Sequence, residues 1–420
     1  MTERRIDHVT CLGCGCGCDD IAVTVRDDRI IEIGPPCPVS RTWFGDGVVP
    51  WEVLRAGKPV ELDEALGEAA SLLAGESGRV LVYIGTDLSS ASQRCAVGIA
   101  DLLRATVDTA TSSTAATGLL VGQRRGRATA TLGEVRNRAD VVLFWATDPT
   151  RRYPRFQSRY APEPIGTQVP NGRADRFVIS VHVGSEKAPS DADATVTLDA
   201  TDEIAALSLM RAAVAGNSFG DLTTPLKDAV ALVPRLSAAR YSILIHDAEP
   251  TRESRNPLRV EGLIALAQAL NGPTRAALLS LRAGGNRVGA ESVLTWQSGF
   301  PWAVDFSRGH PRYAPEQREL QRVEKRFSAV LIVGSAAFDE QTTLALANIP
   351  MVIIGPRASQ SKFSPRVAID SGVAGIHEAG TGYRMDEVPL SLRPPLSGPR
   401  TTVEVLEALR GAVRLKAGSA

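Results

Sequence analysis

Seven short, almost wholly apolar runs decide what this chain can fold into: 80–84 (VLVYI), 141–145 (VVLFW), 177–181 (FVISV), 242–246 (SILIH), 277–281 (ALLSL), 329–333 (AVLIV) and 351–354 (MVII). A strand that is apolar on both faces has no side for solvent, so it belongs in a sheet covered by helices above and below. Between the runs lie stretches with helical spacing. Leu62, Ala65, Leu66, Ala69 and Leu73 form one apolar face within 61–76, and comparable patterns fill 89–105, 202–215, 258–270, 315–327, 339–347 and 402–415. Strands alternating with helices in this way predict doubly wound, Rossmann-like parallel sheets. No internal repeat and no heptad pattern competes with that reading.

The first fifty residues obey another rule. Cys11, Cys14, Cys16 and Cys18 crowd a Gly-rich knuckle, CLGCGCGC. Residues 21–25 then alternate, 26–29 turn, and 30–33 return, which predicts a β-hairpin with Asp27-Asp28 at its tip. Gly34-Pro35-Pro36 brings Cys37 back to the base of that hairpin. Three segments are therefore expected: a small Cys-rich β domain over 1–50, an α/β domain over 51–235, and a second α/β domain with a C-terminal helix over 236–420. The inner boundary is placed where Gly216-Asn217-Ser218 and Thr223-Thr224-Pro225 weaken the periodicity. The tail after Arg384 is Pro-rich, and its last five residues, KAGSA, read as loose.

Composition excludes several partners. Lys+Arg and Asp+Glu balance at 47 each, so bulk charge offers nothing to nucleic acid or to an anionic membrane. No apolar run approaches the roughly 20 residues of a membrane helix, and the first residues, MTERRIDHVTCLG, contain no signal-like apolar core. A cytoplasmic location is expected. In that reducing compartment, Cys11-x2-Cys14-x3-Cys18, with Cys37 beyond, favours metal over disulfides. Four thiolates at this spacing suit a [4Fe–4S] cluster; zinc takes the same donors, and thiols that hold nothing are the third reading. Cys16 is a spare lying between ligands.

Chemistry is hardest to place in 107–140. The polar, Gly-dotted stretch from Thr109 to Gly126, read as a loop, contains no Cys, His or carboxylate. Ser112, Ser113 and Thr114 have no nearby base to make them nucleophiles, so packing is the better account. Arg282 to Gly289 is Gly-rich and follows a strand, which serves either an anion cradle or simple backbone geometry. Gly85-Thr86 and Gly334-Ser335 carry the same ambiguity. His8, His182, His246, His310 and His377 are scattered and read as structural or surface residues. No nucleophile elbow, Walker loop or GxGxxG opening is present.

Several longer motifs together resemble a known family: the Cys knuckle with Asp19-Asp20-Ile21, TLGEVRNRADVVLFWATDP, Tyr153-Pro154-Arg155 with Ser158-Arg159-Tyr160, LTWQSGFPWAVDFSRGHPRYAP and TGYRMDEVPLSL. The chain is similar to the B subunit of formylmethanofuran dehydrogenase, in the molybdopterin oxidoreductase superfamily. That resemblance implies an Fe–S domain followed by two α/β domains around a bis-pterin tungsten or molybdenum centre, with a metal-ligating Cys and an adjacent His. Counted back from Thr131, those two residues fall at about Thr114 and Ala115, so both are missing. The family's Arg-Gly-His-Tyr-Asn segment falls on Arg282 to Asn286, where Arg282 persists without the His. The three are vestigial positions with no catalytic or pterin role, and no tungsten or molybdenum pterin is expected. The loss resembles the B subunit of the bacterial formyltransferase/hydrolase complex. There, the resemblance implies, amidohydrolase and formyltransferase subunits do the chemistry alongside a β-helical subunit, in one-carbon metabolism. The expected function is a non-redox structural subunit of such a complex. Two others stand against it: an active tungsten or molybdenum enzyme ligated through Ser113 or Thr114 oxygen, and an Fe–S electron-transfer or binding module.

Overall fold

The computed structural model describes residues 3–250, 255–315 and 326–417. The chain forms two compact units, one from Met1–Thr111 with Gly284–Ala420 and the other from Ser112–Ala283. The division expected at 235 is therefore corrected. Strands on either side of it, Ala194–Leu198 and Ser242–Asp247, belong to one sheet. The weakened periodicity near 216–225 is the turn between helices Glu203–Val214 and Thr224–Ala231, inside one long crossover.

The inserted unit carries a five-stranded sheet in the order 194–198, 177–183, 141–145, 242–247, 276–281, every pair parallel. Its core sets Leu143, Trp145, Ile179, Val181, Leu244 and Leu278 against helices Glu203–Val214 and Arg259–Leu270. Trp145, Leu143, Ile179 and Leu244 are fully buried, as an uninterrupted apolar strand predicts.

The other unit carries a nine-stranded mixed sheet, ordered 312–313, 304–305, 106–109, 80–84, 329–333, 351–355, 367–370, 53–55, 58–59. Its middle is parallel and both edges are antiparallel. The edge strands of two to four residues are too short to print a period on the sequence. A helix expected over 315–327 lies almost wholly outside the described residues, as do the last three of the terminal KAGSA. Helix Thr402–Ala417 holds the first two.

The Cys-rich segment of this unit is a three-stranded antiparallel sheet, Glu3–Cys11, Cys18–Arg26 and Arg29–Gly34. Asp27 and Asp28 form its expected tip at φ 50 and φ 55. Both central residues of such a tight turn must be left-handed, and Asp tolerates this better than most residues. The first strand escaped the sequence reading because residues 3–8 lie largely in solvent and show no buried alternation.

Glu378, 2% exposed, ties two helix starts in this unit. Its carboxylate accepts from Ser89 Oγ at 2.5 Å and Ser92 Oγ at 2.8 Å, at the head of helix Ser90–Leu102, and from Thr402 N at 2.7 Å, at the head of Thr402–Ala417. A buried carboxylate is tolerated where two helix dipoles point their positive ends at it. Glu378→Ala strands three buried donors and is expected to cost about 3 kcal/mol, read as a lower urea midpoint at unchanged slope. Glu378→Gln should cost less.

Candidate functional site

Ligands of open α/β sheets sit beyond the carboxyl ends of the strands, where the strand order reverses. In the nine-stranded sheet that point lies between Val80–Ile84 and Ala329–Val333, and it is closed by backbone. Thr86 N donates to Ser335 O at 2.7 Å and Ser335 N to Thr86 O at 3.1 Å. A Cβ on Gly85 would meet Ser335 O at 2.3 Å, and one on Gly334 would meet Thr86 O at 2.3 Å. The Gly-Thr and Gly-Ser pairs are thus close backbone approaches. The same holds for Gly284, where a Cβ would lie 2.1 Å from Leu12 O, and Gly285 N donates to Leu12 O at 2.8 Å. Asn286, left-handed at φ 57, then starts helix Arg287–Ser298. Backbone geometry, not an anion cradle, accounts for these glycines.

In the five-stranded sheet the reversal falls between Val141–Trp145 and Ser242–Asp247, and there the surface opens. A crevice of about 790 Å³ is lined by residues including Thr147, Asp148, Arg152, Lys187 and Asp247. Asp247, at the strand end, receives Arg152 Nη1 at 2.5 Å, Tyr153 OH at 3.1 Å and Glu249 N at 2.9 Å. Burial raises its carboxyl above the usual range, and Arg152 opposes that shift.

A second cavity, about 290 Å³, is where Thr114, Ala115 and Arg282 come together. The polar stretch expected as a loop is mostly helix, Ser113–Arg125, following a short strand, Thr106–Thr109. Ser112 caps that helix by accepting from Ala115 N at 3.1 Å, and Gly126 ends it at φ 68. Its small polar residues disguised a face in which only Ala115, Ala116 and Val121 are buried. Leu278, Ser280 and Arg282 reach the cavity from alternate positions of one strand line. His246 joins them because it stands in register with Ser280 on the neighbouring parallel strand.

His246 is the functional candidate that sequence reasoning missed; an isolated His inside an apolar run gave no signal. It is 4% exposed, and its Nε2 lies 2.8 Å from Ser280 Oγ. Burial first, and then Arg255, Arg259, Arg127 and Arg282, push its pKa down to about 3. The imidazole is therefore neutral at pH 7, and too weak a base to take a proton from Ser280. His182 and His377 are structural, accepting backbone N–H from Ala188 at 3.0 Å and Val373 at 3.2 Å.

The arginines are held by two buried carboxylates, Glu203 and Glu249, and by the partly buried Glu186. Arg255 pairs with Glu186 at 2.7 Å, Arg259 with Glu186 at 2.6 Å and with Glu203, and Arg282 with Glu249 at 3.3 Å. Glu203 also accepts from Trp145 Nε1 at 2.7 Å.

Cys11, Cys14, Cys18 and Cys37 lie on the Cys-rich sheet and on the turns that border it. Cys11 and Cys18 face each other across the first strand pair. Burial pushes the Cys11 thiol well up, and Cys14, Cys18 and Cys37 add to that shift. None of the six cysteines is in a disulfide. Among the described residues, however, no group of three or more His, Cys, Asp or Glu side chains converges to hold a metal. Cys37 instead caps helix Pro38–Phe44, its Sγ accepting from Ser40 N at 3.3 Å. The cluster or zinc expected of the four thiols is therefore not matched by a gathered donor set among the described residues. No helix among the described residues is long and apolar enough to cross a membrane.

No family model matches the chain. It is 29% identical, over 97% of its length and 98% of the relative's, to the B subunit of tungsten-containing formylmethanofuran dehydrogenase 2 from Methanococcus maripaludis. The protein of that name from Methanocaldococcus jannaschii is also 29% identical, over 97% of both chains. The Fhc B subunit of the formyltransferase/hydrolase complex of Methylorubrum extorquens is 26% identical over 61% of this chain and 67% of its own. A chain in the crystal structure of the formyltransferase/hydrolase complex (FhcABCD) of Methylorubrum extorquens with methylofuran shares the fold, with a TM-score of 0.72 at 23% identity, covering 88% of this chain and 100% of that one. The protein is a homologue of the formylmethanofuran dehydrogenase B subunit.

Proposed function

We propose that this chain is a non-redox structural subunit of a formyltransferase/hydrolase-type complex. In such a complex a formyl group passes from formyl-tetrahydromethanopterin to a methanofuran analogue and is hydrolysed to formate. The partners are an amidohydrolase-like subunit and a formyltransferase subunit, which do that chemistry, and a β-helical subunit. Similarity to the Methylorubrum B subunit, and to the fold of a chain in its complex, supports this assignment.

The observation that carries the reading is the makeup of the 290 Å³ cavity. Where the family resemblance calls for a thiolate and an imidazole, Thr114 and Ala115 supply a hydroxyl and a methyl. No Cys is among the described residues lining that cavity. Tungsten and molybdenum in such centres take soft thiolate ligands, and the chemistry needs a proton donor beside them. His246 does not fill that second role, because its pKa near 3 leaves it without an acidic imidazolium proton at pH 7.

The opposing observation is that both 29% identical relatives are tungsten-containing enzymes by name. Viologen-linked oxidation of a formylated furan by the purified native complex separates the readings. Turnover no faster than that of a metal-stripped control is expected. Turnover that rises with bound tungsten or molybdenum would establish the redox enzyme instead. Iron in the same preparation would be assigned by Cys11→Ser and Cys37→Ser variants, which should assemble and melt normally if the thiols hold nothing.

A further inference from the structure

We propose that the cavity between helix Ser113–Arg125 and the five-stranded sheet is a binding site for a small organic anion, a carboxylate carried on an apolar body. At about 290 Å³ it stands at the lower end of small-molecule sites. That is room for roughly ten water-sized groups at about 30 Å³ each.

Its lining is split by chemistry. Leu119, Val260, Ile264 and Leu278 supply an apolar wall, whereas His246, Ser280, Arg255 and Arg282 supply a polar one. The division follows from the fold. Leu119, Val260 and Ile264 come from two helices and Leu278 from within a strand. His246, Ser280 and Arg282 stand at or just past strand ends, where parallel sheets gather their functional groups, and Arg255 follows beyond one of those ends.

The polar wall favours negative charge. The four charges bearing most on His246 are all arginines: Arg255, Arg259, Arg127 and Arg282. The carboxylates that answer three of them, Glu186, Glu203 and Glu249, do not line the cavity. Asp247 is the one acidic side chain among the described lining residues, and Arg152 and Tyr153 hold it.

Donors remain for a ligand. Arg255 commits Nε to Glu186 and Nη1 to the carbonyls of Asp247 and Glu249. Its Nη2 has no partner among the described residues, and a guanidinium edge matches a carboxylate in plane and spacing. Neutral His246 and Ser280 share one hydrogen bond, so one of the pair retains a donor. Inorganic phosphate would satisfy the cationic wall but leave the apolar wall wet, which is why the assignment is a carboxylate with a hydrocarbon body.

Calorimetric titration of the full chain with phenylacetate tests this. Saturable binding with a Kd below about 1 mM, equivalent to roughly −4 kcal/mol, is expected. Inorganic phosphate and uncharged 2-phenylethanol should bind at least about ten-fold more weakly. Leu119→Trp, which fills the apolar end from a half-buried helix position, should keep the melting temperature near that of the parent and abolish binding. Arg255→Met should weaken binding at least about ten-fold if it folds. Phenylacetate binding that survives Leu119→Trp would place the ligand elsewhere and overturn the proposal. Equal affinity for 2-phenylethanol, or no saturation by about 10 mM, would overturn it as well.

Discussion

Glu203→Leu is expected to destabilise the inserted unit by about 3–5 kcal/mol, among the largest effects a single side chain here should produce. Glu203 is 1% exposed and accepts from both Trp145 Nε1 and Arg259 Nε. Removing it leaves a buried indole N–H and one side of a buried guanidinium without acceptors. The cost comes from stranded partners more than from a lost bond, because a buried pair repays little beyond its own desolvation. The double variant Glu203→Leu with Arg259→Met should therefore recover much of the loss, since Glu186 still has Arg255 at 2.7 Å. Urea denaturation, with amide exchange in strand Val141–Trp145 as the local probe, measures both. A double variant as unstable as the single one would show that the network contributes as an intact unit.

Acid should destabilise the same unit through His246. Its folded pKa of about 3 lies below the usual value of 6.5, so between those limits the unfolded chain binds the proton and the folded chain does not. Stability must then fall as pH falls, by about 1.4 kcal/mol per unit from roughly pH 6 toward pH 3. Above pH 7 the residue contributes no pH dependence. His246→Gln retains a polar group beside Ser280 but cannot titrate, so its melting temperature should decline less steeply across that window. Parallel profiles for the two proteins would show that His246 does not titrate as described.

The sequence carries the fold where burial is two-sided. Seven apolar runs became strands because an element hidden on both faces has no polar period to confuse it. The N-terminal hairpin was legible from alternation and from Asp27-Asp28. Illegible were elements whose chemistry points the other way. The first half of helix Ser113–Arg125 is built from Ser, Thr, Ala and Gly, small residues that also suit loops, and only its cap and its packing make it a helix. The insertion of 112–283 into the other unit left no mark either, because both units use the same strand–helix grammar.

The candidate site was legible in part. Thr114, Ala115 and Arg282 were marked by resemblance and do line one cavity. His246 was not, since only the parallel register that sets it beside Ser280 gives it a context. The Cys motif shows the converse. Spacing alone suggested a four-thiolate site, whereas Cys37 serves as a helix cap and no group of three or more donors is gathered for a metal among the described residues. Spacing fixes which residues can meet, and local backbone demands decide whether they do.

Whether this chain carries a redox metal decides between a structural subunit and an enzyme. Elemental analysis of the purified native complex for tungsten and molybdenum, per copy of this chain, tests that most directly. Less than about a tenth of an equivalent of either is predicted, because Thr114 and Ala115 stand where a soft ligand and a proton donor would be needed. Tungsten or molybdenum near one equivalent would contradict the account and make Thr114 and Arg282 catalytic candidates.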